Sequence, residues 1–255
     1  MFLVADIGNS NIVIAVHDGE KWKYNYRYET KNRQSGLFYE TLIRDLLLEW
    51  GIQSVDINDA AVSSVVPDIT ELICTAIEAN IRSNPLILSP EVFLKLDMEI
   101  PKVYEIGSDL VANAYAAKKL IKKNTIIVDF GTALTFTVYK ENKGIEGVTI
   151  SPGLKTIIST LSGSTAQLPE IEIKIPKSAI GKSTSTAIGA GVFYGFIGQT
   201  KEILSRIKHE LKEPFYVVAT GGLSTVIKEL TSEFDSINTD LTLEGIRQIK
   251  FAIDK

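Results

Sequence analysis

The sequence predicts an α/β chain built as two similar domains. Three observations carry that expectation. Apolar, β-branched runs alternate with amphipathic helical stretches from one end to the other. Residues 3–16 (LVADIGNSNIVIAV) match residues 126–139 (IIVDFGTALTFTVY) in pattern: an apolar strand runs into Asp-x-Gly, a small polar residue follows, and a second alternating strand begins. Each copy leads into a third strand and then into helices, as an internal duplication does. The 255 residues suit two domains of about 100–130 residues each. The expected division places residues 1–114 in one domain and 115–255 in the other. No Pro- or Gly-rich linker marks it, so two closely packed domains sharing a cleft are expected, a favoured place for ligands.

In chain order, FLVAD, NIVIAVHDG and KWKYNYRYET read as three strands, with turns at Gly8-Asn9 and Asp18-Gly19. A helix is predicted over 36–50, with Leu37, Thr41, Leu42, Leu46 and Trp50 near one face and Gly51 closing it. AAVSSVV at 60–66 is a buried strand, Pro67-Asp68 opens a helix to about residue 82, and PLILS is a short strand. Residues 107–122 read as one Ala-rich helix, acidic at its start and lysine-rich at its end, an order that suits the helix dipole. TIIVDF, ALTFTVY and GIEGVTI are three further strands, and a long helix covers 184–211. FYVVATGG is a buried strand ending in a double glycine, expected to lead into a helix. Helical pieces follow, ending with LEGIRQIKFAI.

Composition excludes several classes of function. Lys plus Arg is 27 against 31 Asp plus Glu, a net charge of −4, which lacks the basic footprint of a nucleic-acid binder. Cys74 is the only cysteine, so neither an intramolecular disulfide nor a multi-cysteine zinc site can form. The longest low-charge run, near 187–200, carries four glycines and is shorter than the ~18 residues of a membrane span. MFLVADIGNS has no basic region and reaches a charge at Asp6, unlike a signal or transit peptide, so the expected location is the cytoplasm.

Three glycine turns carry the chemistry. In Asp6-Ile7-Gly8-Asn9-Ser10, a carboxylate at a strand end suits a divalent cation, and successive N–H groups around Gly8 suit an anion. Alone, the segment reads equally as an ordinary hairpin turn. Asp129-Phe130-Gly131-Thr132 is its second copy. Ala219-Thr220-Gly221-Gly222 adds a turn whose flat backbone suits a nucleoside and whose following helix would favour phosphate. Asp109, next to Ser108, is a carboxylate within a helix start, a site for a general base or simply for a helix cap. Gly181-Lys182-Ser183 ends like a P-loop, but Pro176 stands where the first glycine would be, and Gly189-x-Gly191 lacks the third glycine at Tyr194. His17 and His209, the two histidines, read as surface residues rather than catalysts.

On these residues the chain resembles the type III pantothenate kinases, of the acetate and sugar kinase/heat-shock chaperone/actin superfamily. The likeness runs from DIGNSN at 6–11 through SSVVP at 63–67, IGSD at 106–109, DFGTALTF at 129–136 and ISPGL at 150–154. It continues in Gly181 to Thr184, ATGGL at 219–223 and LTLEGI at 241–246. The resemblance implies duplicated ribonuclease H-like (actin-like ATPase) domains with an interdomain cleft. It implies ATP-dependent phosphorylation of pantothenate to 4′-phosphopantothenate, the first step of coenzyme A biosynthesis, by a homodimer.

Site residues follow from the same resemblance. Asp6 positions magnesium and, with Ile7, Gly8, Asn9, Ser10, Asn11, Ile12 and Val13, the ATP phosphates. Thr132, Gly221 and Gly222 complete the nucleotide site. Asp129 ligates a monovalent cation, potassium or ammonium. Asp109 is the general base. Ile100, Gly107, Ser108, Leu110 and Thr184 stand at the pantothenate positions. Two of these depart from the family pattern, which has Arg at 110 and Tyr at 100. Val148 stands in place of a glycine, and Leu134-Thr135-Phe136-Thr137 in place of Thr-Thr-Phe-Asp. Leucine offers no hydrogen bond where arginine pairs bidentately with a carboxylate. Two other readings therefore stay open at the level of sequence: a kinase for another small hydroxylated acceptor, and a non-catalytic regulatory protein that keeps the fold.

Overall fold

In a computed structural model that describes residues 1–30, 34–81, 83–163, 174–225 and 227–254, the chain divides into two compact units. The first takes residues 1–122, 142–146 and 240–255, and the second takes 123–141 and 147–239. Residues 115–122 and the closing segment thus group with the first unit, whereas a contiguous division at 114/115 assigns them to the second. The reason lies in packing around one Ala-rich helix, described below.

The first unit opens with β1 (Phe2–Ile7), β2 (Asn11–His17), β3 (Trp22–Glu29) and α1 (Gly36–Glu49). It continues with β4 (Asp59–Ser64), α2 (Pro67–Ile81), β5 (Leu86–Ile87), α3 (Pro90–Phe93) and α4 (Ser108–Ala116). The sheet order is β3-β2-β1-β4-β5, with β1 antiparallel to β2 and parallel to β4. Leu3, Ala5 and Ile7 alternate onto one face of β1, beside Ile12, Ile14 and Val16 of β2. Residues Tyr39, Ile43, Leu46 and Leu47 of α1 and Ile69, Ile73 and Ile77 of α2 join them in one core.

Two sequence expectations change here. Leu37 is 71% exposed and Tyr39, Ile43, Leu46 and Leu47 form the buried stripe of α1. Both stripes pass through Leu46, and burial of the large Tyr39 ring selects the second. The predicted helix over 107–122 is α4 followed by a π-helical turn, Ala117–Ile121, that ends at Lys122 with φ +55°. The wider turn lets consecutive side chains Lys118 and Lys119 both reach Asp97, at 3.1 and 3.6 Å.

The second unit repeats the plan. It comprises β6 (Thr125–Phe130), β7 (Ala133–Lys140), β8 (Gly144–Pro152, whose first residues group with the first unit), α5 (Leu154–Gly163), α6 (Thr184–Leu211), β9 (Tyr216–Thr220) and β10 (Ser236–Ile237). The sheet order β10-β9-β6-β7-β8 is that of the first sheet written in reverse, strand for strand. Again the Asp-bearing strand lies at the centre, antiparallel to the next strand and parallel to the later one. Phe130, Phe136, Phe193, Phe196 and Leu204 fill its core.

The last helix, α7 (Leu241–Ile253), packs on α4, β1 and β4 of the first unit. The closest approach is at Gly245, where a Cβ would fall 1.9 Å from the Ala112 carbonyl oxygen. Leu243, Ile246 and Ile249 are buried on the same face. Only a glycine against an alanine row lets the two helices come this near, which is why α7 belongs with the first unit.

Candidate active site

In the first unit, Asp6 ends β1 and is half-buried. The turn behind it closes through Gly8 N–H donating to Asn11 O at 2.9 Å. Thr30 ties the turn from outside: its hydroxyl donates to Gly8 O at 2.8 Å and its N–H to Ser10 O at 3.0 Å. Asn9 is exposed and Ser10 and Asn11 are half-buried, so these three present polar groups at the surface. Ile7, Ile12 and Val13 are buried core residues, which leaves them only backbone groups to offer a ligand.

Asp109 sits in the first turn of α4, after Gly107 at the N-cap. A Cβ at Gly107 would lie 2.5 Å from Asp109 Oδ1, so glycine is the residue that leaves the carboxylate its place. Oδ1 accepts the Leu110 N–H at 2.9 Å. Burial pushes the carboxyl above its ordinary range, and the N–H groups of Leu110 and Asp109 itself oppose that shift. Leu110 is buried at 7% exposure, with its side chain in the core. Ile100 is half-buried, one residue past a bridge between Glu99 and Gly144.

The Asp6 turn and the Asp109 turn are joined through β4. Asp6 pairs in register with Ser63, and Ile7 with Ser64. Ser63 and Ser108 hydroxyls lie 2.9 Å apart, and the Ser108 hydroxyl donates to Ser64 O at 3.1 Å. Sequence reasoning missed Ser63, Ser64 and Thr30 as site-forming residues. For Ser63 and Ser64 the signals were a polar pair at the end of an otherwise apolar strand and the SSVVP match at 63–67.

In the second unit, Asp129 ends β6 in the place Asp6 holds in β1. Gly131 N–H donates to Ala133 O at 3.0 Å, and the Thr132 carbonyl accepts from Gly153 N–H at 3.0 Å and from the Thr156 hydroxyl at 2.6 Å. Gly221, at φ +87°, packs so closely that a Cβ would meet Asp129 Oδ1 at 2.4 Å and Phe130 N at 2.7 Å. Asp129, Thr132 and Gly221 are thus brought together, with Gly222 next in the chain. The helix expected after this double glycine is instead a turn, closed by the Ser224 hydroxyl donating to Gly221 O at 2.7 Å, and then a short 3-10 stretch, Lys228–Glu233. The Ser224 hydroxyl and its N–H both return to the Gly221 carbonyl, which closes a local turn there, and among the described residues no α-helix follows the double glycine before the 3-10 stretch.

Thr184 is the exposed first residue of α6, preceded by the N-cap Ser183. Among the described residues no side-chain hydrogen bond joins it to the Asp129 turn. His209 is exposed, as expected. His17 is not: it is 3% exposed, with its Nδ1 accepting the Gly19 N–H at 3.0 Å and its ring edge-on to Trp22. The Asp-Gly turn it precedes folds back over the ring, which exposure statistics for a lone histidine do not register.

A family model described as type III pantothenate kinase matches residues 2–206. The chain belongs to the type III pantothenate kinase family. Relatives of that name agree along nearly their whole length. The chain is 38% identical to the one from Geobacillus thermodenitrificans over 247 residues, 97% of this chain and 96% of that protein. It is 35% identical to the one from Syntrophotalea carbinolica, covering 97% of each. Membership in this kinase family carries ATP-dependent phosphorylation of pantothenate, in coenzyme A biosynthesis. Among solved structures, the chain resembles component A of the Acidaminococcus fermentans (R)-2-hydroxyglutaryl-CoA dehydratase with a TM-score of 0.54 at 13% identity, over 99% of this chain and 98% of that one. It resembles the activator of the 2-hydroxyisocaproyl-CoA dehydratase from Clostridium difficile with a TM-score of 0.53 at 12% identity, over 99% and 96%. These likenesses show the fold, an α/β architecture of the actin-like ATPase and sugar-kinase type. Among the described residues no helix is long and apolar enough to cross a membrane.

Proposed function

We propose that this kinase transfers the γ-phosphoryl group of ATP to the primary hydroxyl of pantothenate with Asp109 as the general base. The observation that supports this most is the setting of Asp109. Its Oδ1 is held by a backbone N–H, no ion pair with a cation engages the carboxylate among the described residues, and burial raises its affinity for a proton. The hydroxyl proton goes to the second carboxylate oxygen, Oδ2. The freed oxygen attacks the γ-phosphorus, the bond from that phosphorus to the bridging oxygen breaks, and ADP leaves. Thr132 and the Gly221-Gly222 backbone serve the nucleotide. Thr184, with the backbone of Gly107 and Ser108, serves pantothenate. Leu110 contributes its backbone rather than a charged side chain.

Asp6 suits magnesium, because that ion takes one or two carboxylates, keeps several waters and relies on the substrate's phosphates. Bound there, it would neutralise phosphate charge. Asp129 suits potassium or ammonium. Its register partners are Thr135 and Thr220, on the same face of the sheet. Both hydroxyl oxygens are buried without a hydrogen-bond partner among the described residues, and uncharged oxygens beside one carboxylate are a donor set for such a cation. The same reading includes a cytoplasmic homodimer, which sedimentation at enzyme concentrations tests.

Purified protein given ATP, pantothenate, magnesium and potassium should form 4′-phosphopantothenate. Asp109→Asn should lower kcat by about 10²–10⁴-fold, the usual worth of a general base. Full turnover by that variant would remove Asp109 from the role. Formation of a different phosphorylated product in an acceptor screen would redirect the substrate assignment.

A further inference from the structure

We infer that Ser63 is a positioning residue for the phosphoryl transfer, acting through Ser108 to fix Asp109 relative to Asp6. The inference rests on Asp109 being the base and adds to it a residue that touches neither substrate.

The hydrogen bonds assign their own direction. The Ser64 carbonyl can only accept, so the single Ser108 hydroxyl proton goes to it, at 3.1 Å. The Ser63 hydroxyl must then donate to Ser108 Oγ, at 2.9 Å. Ser63 is 0% and Ser108 5% exposed, so water does not compete for either group. Ser63 is also the register partner of Asp6 in the parallel β1–β4 pair, which puts the two side chains on one face of the sheet. At the other end, Ser108 immediately precedes Asp109 in the first turn of α4. The N-cap itself, Gly107, has no side chain with which to anchor this turn. One buried hydroxyl therefore links the end of β4, the register neighbour of Asp6 on β1, to the helix start that carries Asp109. The Val65 N–H donating to Ile7 O at 3.0 Å fastens the same strand ends.

Phosphoryl transfer depends on placement more than on covalent help, and a misplacement of about 1 Å can cost ~10²-fold in rate. Ser63→Ala removes the donor while leaving Ser108 bonded to Ser64 O. We expect it to lower kcat by roughly 10-fold or more and to leave KM for ATP within about two-fold, since the Asp6 turn keeps its own ties through Thr30. Ser108→Ala strands the buried Ser63 hydroxyl and the Ser64 carbonyl together, so it should lower both kcat and thermal stability. The double variant should lose no more kcat than Ser108→Ala alone, because the two hydroxyls act as one link.

Asp109→Asn, measured in parallel, separates the two readings. If it keeps full turnover, the base assignment fails and this inference fails with it. If Asp109→Asn is inactive while folded Ser63→Ala keeps wild-type kcat, or if the double variant loses the product of the single effects, Ser63 and Ser108 are ordinary packing residues and the inference alone is overturned. A kcat loss matched by an equal rise in KM for ATP would also overturn it, since that pattern marks a general disturbance of the sheet end.

Discussion

A carboxyl group whose hold on its proton is strengthened by burial works, once ionised, against the fold that holds it. The folded pKa of Asp109 lies above its unfolded value, so the native state binds the proton more tightly than the unfolded chain does. Stability therefore falls as the pH rises from the unfolded pKa to the folded one, and the loss persists at neutral pH. Activity runs the other way, since the base must be ionised: kcat/KM should fall as the pH drops through the raised pKa. Asp109→Asn keeps the shape and drops the charge. At pH 7 it should raise Tm by about 2–4 °C, a shift of ordinary size for one site in a chain this long, while lowering kcat by the ~10²–10⁴-fold expected for loss of a general base. Scanning calorimetry at pH 7 and again at acid pH, where the gain should vanish, checks this, and a lower Tm at both would contradict it. At this scale the sequence was readable where chemistry is local. Asp6-x-Gly8, Asp129-x-Gly131 and Gly107-Ser108-Asp109 announce their turns within a few residues. Ser63 and Thr30 do not, because their partners lie 45 and 22 residues away and exist only once the strands pair.

Among elements, the β2–β3 hairpin shows how a turn is fastened to a helix. Trp22 Nε1–H donates to Glu244 Oε1 at 3.1 Å, and Glu244 in turn accepts from Arg247 at 2.9 Å. His17 lies between them, its Nε2 3.8 Å from Glu244. Burial first, and then Arg247, holds its pKa below the ordinary imidazole value of 6.5, while Glu244 and Asp18 pull the other way. A lowered folded pKa means that stability present above pH 6.5 is lost as the pH falls from there through the folded value, because the unfolded chain takes up the proton first. Protonating Nδ1 would also set it against the Gly19 N–H. His17→Asn, which keeps an acceptor for that N–H, should show a smaller drop in urea midpoint between pH 7 and pH 5 than the wild-type chain. An equal drop in both would place the acid sensitivity elsewhere. The strands and helices were largely visible in the sequence because their period is a local property. The face of α1 and the burial of His17 were not, since each is decided by what packs from outside the element.

Across the whole molecule, the duplication legible in two fourteen-residue stretches extends to complete sheets of matching strand order. The closing helix was the part out of reach. Nothing in LTLEGIRQIKFAI names its partner, and Gly245 reads as a helix weakness until Ala112 is seen against it. Gly245→Ala should destabilise the chain by about 1–3 kcal/mol net, because overpacking against the Ala112 backbone outweighs the ~1 kcal/mol gained in helix propensity. Chemical denaturation checks the sign, and a stabilised variant would show that α7 can shift without loss.

One consequence of α7 packing on α4 concerns biosynthesis. The helix that covers the first unit follows the second unit in the sequence and is therefore translated after it. Until that helix emerges, the nascent polypeptide carries the Ala-rich face of α4 without its partner. Translation of the second unit must finish before α7 can close the first, so a premature stop between residues 123 and 239 leaves the first unit without its covering helix.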